Sequence, residues 1–121
     1  MPVATNGFSK RLRLLSAAEY GAVFDNVQLK ISCHQFLVLA IRNHDSRSRL
    51  GMVIAKKHVS NAVQRNRIKR QIRESFRHIV KELPGLDLVV LARKDAGKLD
   101  NKQLAGKLNM LWKDMASKCL R

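Results

Sequence analysis

The sequence predicts an α+β fold, an α/β sandwich of element order α-β-β-β-α-β-α built on a small four-stranded sheet. Three observations lead there. Ile68, Ile72, Phe76, Ile79, Val80 and Leu83 recur at three- and four-residue steps, as do Leu104, Leu108, Leu111, Trp112, Met115 and Cys119, and that period lines one face of a helix. Short apolar runs bounded by polar or turn residues read as strands. A chain of 121 residues with 45% hydrophobic content suits one compact domain, 1–121, with a modest core.

The elements follow in order. Ser16 and Glu19 form a capping box, and Leu15 with Tyr20 has the spacing of a hydrophobic staple, so the first helix spans residues 17–25. Three strands are expected at 27–32, 35–42 and 49–56, with the polar stretch 43–48 as the loop of a hairpin. Asn61 caps the next helix with Gln64 as its box partner, and Pro84-Gly85 stops it, which gives residues 62–82. Asp87-Leu-Val-Val-Leu-Ala-Arg93 is apolar enough for a strand covered on both faces. The last helix begins at Asp100, boxed by Gln103. Strand three, the middle helix and strand four make a crossover unit if those strands are parallel.

The charge balance narrows the function. Against 24 Lys and Arg stand 9 Asp and Glu, a net charge of +15, which points to nucleic acid first and an anionic membrane surface second. No apolar run approaches the roughly 20 residues that a membrane span needs, so no membrane is expected. Lys10, Arg11 and Arg13 form a basic arm without the apolar segment of a secretory signal. Two cysteines, Cys33 and Cys119, without a CxxC pairing, read as reduced thiols of a cytoplasmic protein. His34, His44, His58 and His78 are scattered without metal-ligand spacing, and no metal site is expected.

The excess of charge concentrates in residues 56–77, KKHVSNAVQRNRIKRQIRESFR. There Lys56, Lys57, Arg65, Arg67, Lys69, Arg70, Arg73 and Arg77 meet a single acid, Glu74. A solvated helix face ordinarily mixes its signs, so this unmixed run favours a polyanion surface. On a helical wheel Lys69, Arg70, Arg73 and Arg77 flank the apolar stripe with Asn66 among them and Arg67 further round. Arg65 lies on the stripe's own meridian. An unpaired buried guanidinium is very costly, so Arg65 is expected to overhang the core edge and face a cleft or a phosphate.

Three chemistries compete. An RNA-binding protein would grip phosphates with this helix. A nuclease acting alone would need clustered carboxylates to hold cations, whereas Glu19, Asp25, Asp45, Glu74, Glu82, Asp87, Asp95, Asp100 and Asp114 are dispersed, so no catalytic residue is assigned. A DNA major-groove reader would carry a helix-turn-helix or a dimer zipper. Neither is visible, so no DNA partner is expected. Phe8, Tyr20, Phe24 and Phe36 offer rings on which single-stranded RNA bases could stack; the plainer reading of Tyr20 and Phe24, one turn apart, is that both face the core.

The basic stretch, with Arg65-Asn66-Arg67 following an Asn-Ala-Val helix start, closely resembles the signature of the bacterial ribonuclease P protein component family. LARKDA at the end of strand four resembles that family's second short motif, and length and element order are similar nearly end to end. The resemblance implies the protein subunit of a ribonucleoprotein that removes the 5′ leader from precursor tRNA, in which a catalytic RNA subunit holds most of the Mg²⁺. It implies RNA-subunit binding by Lys56, Lys57, Asn61, Arg65, Asn66, Arg67, Lys69, Arg70 and Arg73. It also implies leader binding in a cleft lined by Phe8, Tyr20, Phe24 and Phe36. Leu39 departs from members that carry Tyr at its position. The resemblance further implies a left-handed β-α-β crossover, against the right-handed rule that about 98% of such units obey. The alternative is a basic structural RNA-binding protein of the ribosomal-protein type with no catalytic partner.

Overall fold

The computed structural model describes residues 12–44 and 47–119. Its elements are α1 (Ala17–Asp25), β1 (Leu29–Ser32), β2 (Phe36–Arg42), β3 (Arg49–Ile54), α2 (Ala62–Ile79), β4 (Leu86–Ala92) and α3 (Asn101–Cys119), with short 3₁₀ turns at Val80–Glu82 and Ala96–Lys98. The expected order is present, and the boundaries differ by one or two residues. Val27, placed in the first strand by the sequence, lies outside it and is exposed. The middle helix keeps its α form to Ile79 and finishes as the 3₁₀ turn.

The sheet order is β1-β2-β4-β3, with β2 antiparallel to both neighbours and β3 parallel to β4, so β4 separates β2 from β3 and residues 43–48 are not the hairpin loop expected from the sequence. The parallel pair makes β3-α2-β4 the crossover unit that the sequence allowed. Its consequence for the site is direct, since the chain leaves both strands at the same end of the sheet and residues 55–61 come to lie beside residues 93–98.

Alternation of side chains gives the sheet two unlike faces. Val38, Ala40, Leu88 and Val90 look toward Ile68, Ile72 and Phe76 of α2 and Leu104, Leu108, Trp112 and Met115 of α3, and this is the main core. Trp112 meets Phe76 edge-on at 5.5 Å and donates its Nε1–H to the Ser75 hydroxyl, 2.8 Å away, so the indole is buried without an orphaned donor. The other face carries Leu37, Leu39, Ile41, Val53, Val89 and Leu91 under Leu14, Tyr20 and Val23. Among the described residues α1 and Leu14 cover it, and Leu37, Val53 and Leu91 keep part of their surface.

Caps that need only neighbours in sequence form as expected. Ser16 Oγ accepts from Glu19 N–H while the Glu19 carboxylate accepts from Ser16 N–H. Asp100 and Gln103 exchange the same pair of bonds at the start of α3. The Leu15 staple is a different matter: Leu15 is 62% exposed, and Leu14 takes the buried place beside Val23. Asn61 Oδ1 accepts from Val63 and Gln64 N–H, yet Gln64 does not return the bond; its Oε1 accepts from Arg67 Nε–H instead.

One ionic cluster ties α1 across the open face. Arg49 of β3 donates through Nε and NH2 to both oxygens of Asp87 in β4, at 3.0 and 2.7 Å, and through NH1 to Glu19 of α1 at 2.6 Å. Asn43 adds a bond to Asp87 Oδ1. Asp87 and then Glu19 push the Arg49 pKa further up. The Leu15 backbone N–H, with Arg49 helping, holds the Glu19 carboxyl below its usual range.

Candidate nucleic-acid interface

The turn before α2 and the eighteen residues of α2 itself present the basic signature in three distinct states. Lys56, Lys57, Asn61, Asn66 and Arg70 are exposed, and Lys69 and Arg73 are half-buried with their stems along the helix flank. Lys56, Lys57, Lys69, Arg70 and Arg73 take part in none of the ion pairs among the described residues. Arg73 Nε is buried without a hydrogen-bond partner among those residues. No acid among the described residues neutralises these cations by an ion pair. Farther along, Arg77 and His78 both turn to Glu74, which they hold below the usual carboxylate range, so this end of the helix is electrically quieter.

Arg65 and Arg67 behave differently. Arg65 does not face a cleft or await a phosphate through its whole fork, because its NH1 is folded back onto the carbonyls of Val59 and Ser60, at 3.0 and 2.8 Å. The costly buried guanidinium is avoided by satisfying the chain that leads into the helix. Arg67 donates through Nε to Gln64, through NH1 to Asn101 Oδ1 at 2.9 Å and through NH2 to the Gly97 carbonyl at 3.2 Å.

At the start of α2 these segments enclose a cleft of about 290 Å³. Lys57, His58, Ser60, Asn61 and Gln64 form one wall, and Lys94, Asp95, Gly97 and Lys98 form the other. Asp95 sits at φ 77, in the left-handed region, with His34 Nε2 and Lys98 Nζ each 3.0 Å from its carboxylate; His34 first and Lys98 second hold its pKa down. Through Lys57 and His58 the cleft adjoins a trough of about 270 Å³ on the open face of the sheet, floored by Leu37, Val53 and Leu91 and edged by Arg93.

The aromatic set divides. Phe24 is 42% exposed on α1 and available to a ligand. Tyr20 is half-buried with its ring against Gly51, where a Cβ would come within 2.7 Å of Cζ, and its hydroxyl accepts from Met52 N–H at 3.0 Å. Part of its role is therefore to pin α1 to β3. Phe36 must be removed from the leader-cleft set: it is 0% exposed within the main core, on the opposite face of the sheet, because alternation places it with Val38 and Ala40. Leu37 occupies the open face instead. Leu39 also faces α1 but is 9% exposed and packed within that smaller core. Phe8 lies outside the described residues. Among the described residues no three His, Cys, Asp or Glu side chains are grouped to hold a metal ion, and no helix is long and apolar enough to cross a membrane.

The family model for Ribonuclease P matches residues 8–116. The chain belongs to the ribonuclease P protein family. It is 46% identical over 112 residues to the ribonuclease P protein component of Stutzerimonas stutzeri, covering 93% of this chain and 86% of that one. Among solved structures, the Staphylococcus aureus RNase P protein aligns with a TM-score of 0.78 at 30% identity, over 85% of this chain and 94% of that one. The Thermotoga maritima RNase P protein in complex with 1-(4-fluorophenyl)-2-thiourea gives 0.75 at 31%, over 84% and 97%.

Within this ribonuclease P protein fold, sequence reasoning missed Arg93, Lys94 and Lys98 as candidate site residues. A signal was available, for LARKDA ends the strand that pairs in parallel with β3. Parallel pairing alone would have carried Lys94 and Lys98 to the same rim as Lys57.

Proposed function

We propose that the chain is the protein subunit of ribonuclease P, a cytoplasmic ribonucleoprotein that removes the 5′ leader of precursor tRNA. The basic flank of α2, with Lys56, Lys57, Lys69, Arg70 and Arg73 as its phosphate contacts, docks on the catalytic RNA subunit. The open face of the sheet, with Phe24 at its border and Lys57 at its rim, receives the single-stranded leader. One observation carries the reading: in a chain of this family, one helix flank holds cations that form no ion pair among the described residues.

Chemistry on the scissile phosphate belongs to the RNA subunit in this reading. Mg²⁺ supplies charge stabilisation at the phosphate and an activated water when bound. Among the described carboxylates, Asp87 and Glu19 are committed to Arg49, Asp95 to His34 and Lys98, and Glu74 to Arg77 and His78, and no three His, Cys, Asp or Glu side chains of the described residues are grouped to hold an ion. The protein's own work is to bring two polyanions together and orient the leader by stacking and phosphate contact.

The test is reconstitution with an in vitro transcribed bacterial ribonuclease P RNA. At low Mg²⁺, adding the protein should raise leader cleavage of precursor tRNA, while rigorously RNA-free protein cleaves nothing. Cleavage by the protein alone, abolished by replacing a carboxylate, would overturn the reading, as would failure to bind the RNA.

A further inference from the structure

Arg65-Asn66-Arg67 stands at the centre of the basic signature, and charge alone would make both arginines phosphate contacts. Their hydrogen bonds say otherwise for Arg67. Its three guanidinium nitrogens each have a partner, and those partners lie on three segments: Gln64 in the first turn of α2, Gly97 in the 3₁₀ turn after β4, and Asn101 at the first residue of α3. The Gln64 side chain accepts from Arg67 rather than returning a capping bond to Asn61 N–H, while its backbone N–H still donates to Asn61 Oδ1.

The 3₁₀ turn at Ala96–Lys98 is one of the segments that Arg67 holds. It is entered through Asp95 in the left-handed region and has no side-chain cap of its own. Gly97 packs beside Val59, where an added Cβ would sit in ordinary van der Waals contact at 3.4 Å from a valine methyl, and Val59 is the residue whose carbonyl Arg65 holds. The two arginines thus grip opposite walls of the cleft, Arg65 the 59–60 wall and Arg67 the 97–101 wall, and the walls meet at Val59 and Gly97.

We propose that Arg67 is a positioning residue for RNA binding: its fork sets the wall that carries Lys94 and Lys98 against α2, rather than contacting a phosphate itself. This rests on the reading of α2 as the RNA surface. A planar fork that satisfies three acceptors in fixed directions cannot be replaced by an ammonium, a point charge on a flexible stem. A phosphate contact, by contrast, tolerates lysine well. Charge-conserving substitution therefore separates the two roles.

The experiment measures affinity for in vitro transcribed ribonuclease P RNA across a salt series, with Arg67→Lys, Arg67→Ala, Asn101→Ala, Arg70→Lys and Arg70→Ala, each verified as folded by circular dichroism. Arg67→Lys is expected to lose affinity on the order of fivefold to tenfold, close to Arg67→Ala, because one or two charge-assisted bonds are gone while the charge remains. Asn101→Ala, which removes no charge, should reproduce part of that loss and add little to it when combined with Arg67→Ala. Arg70→Lys should keep most of the affinity that Arg70→Ala loses. Full affinity in Arg67→Lys, or wild-type binding in Asn101→Ala, would overturn the proposal. If Arg67→Ala fails to fold, Asn101→Ala and Arg67→Lys still decide. An Arg70→Ala variant with an unchanged salt slope would instead remove α2 as the RNA surface, a separate failure from that of Arg67.

Discussion

Replacing Arg49 by Met should destabilise the fold by about 2–3 kcal/mol at neutral pH. Removing one partner of a buried ion pair ordinarily costs about 3–5 kcal/mol, because the other charge stays behind without compensation. Asp87 fits that case, with a side chain 7% exposed and Asn43 as its remaining hydrogen-bond partner among the described residues. Arg49, however, is 32% exposed and Glu19 is solvated at the surface end, so water replaces part of what is lost and the figure falls toward the 1.5–3 kcal/mol of a charge-assisted hydrogen bond. For a chain of this size the melting temperature should drop by about 10 °C. Adding Asp87→Asn to Arg49→Met should recover a large part of the loss, since a neutral amide is cheaper to bury than an unpaired carboxylate.

Acid provides a second check on the same cluster. The Glu19 carboxyl is held low by the Leu15 and Ser16 backbone N–H groups and by Arg49. A depressed carboxylate contributes stability that is present above the ordinary carboxylate range and disappears as pH falls through its lowered folded value. The gap between wild type and Arg49→Met should therefore narrow below the ordinary carboxylate range. Urea titrations at neutral and acid pH measure both quantities. A neutral-pH loss under about 1 kcal/mol, or a gap that persists unchanged in acid, would refute the account of Arg49 as the tie between α1, β3 and β4.

Two further outcomes follow from the surface. Phe24→Ala should weaken binding of precursor tRNA by about 1–3 kcal/mol if one leader base stacks on the ring, with little change for mature tRNA and little cost in folding, as the side chain is already 42% exposed; equal losses for both RNAs in gel-shift titrations would remove Phe24 from the leader path. Sulfate should raise the melting temperature above that in chloride of matched ionic strength, because +15 on 121 residues makes the compact state repel itself and an anion bound only by the folded form adds stability by mass action; identical curves in the two salts would leave only general screening.

Capping and periodicity were legible in the sequence because both are settled within a turn or two of chain. Ser16 finds Glu19, Asp100 finds Gln103, and the 3- and 4-step stripes of α2 and α3 mark the faces that become buried. The cationic character of α2 was legible for the same reason, since charge needs no partner to be counted. The face taken by β2 was not, because Phe36-Leu-Val-Leu-Ala-Ile41 is apolar without alternation, and only its register against Leu86–Ala92 decides that Phe36 enters the helix-side core while Leu37 looks onto the open face. Nor could the sequence say which arginines the fold would consume. Arg49 meets partners 30 and 38 residues away and Arg67 meets partners 30 and 34 residues away, distances along the chain over which side chains carry no mutual signal until the β3-α2-β4 crossover closes. Gln64 shows the boundary between the two regimes: its local capping bond was open to it, and a guanidinium held in place by the tertiary fold offered the stronger, charge-assisted one.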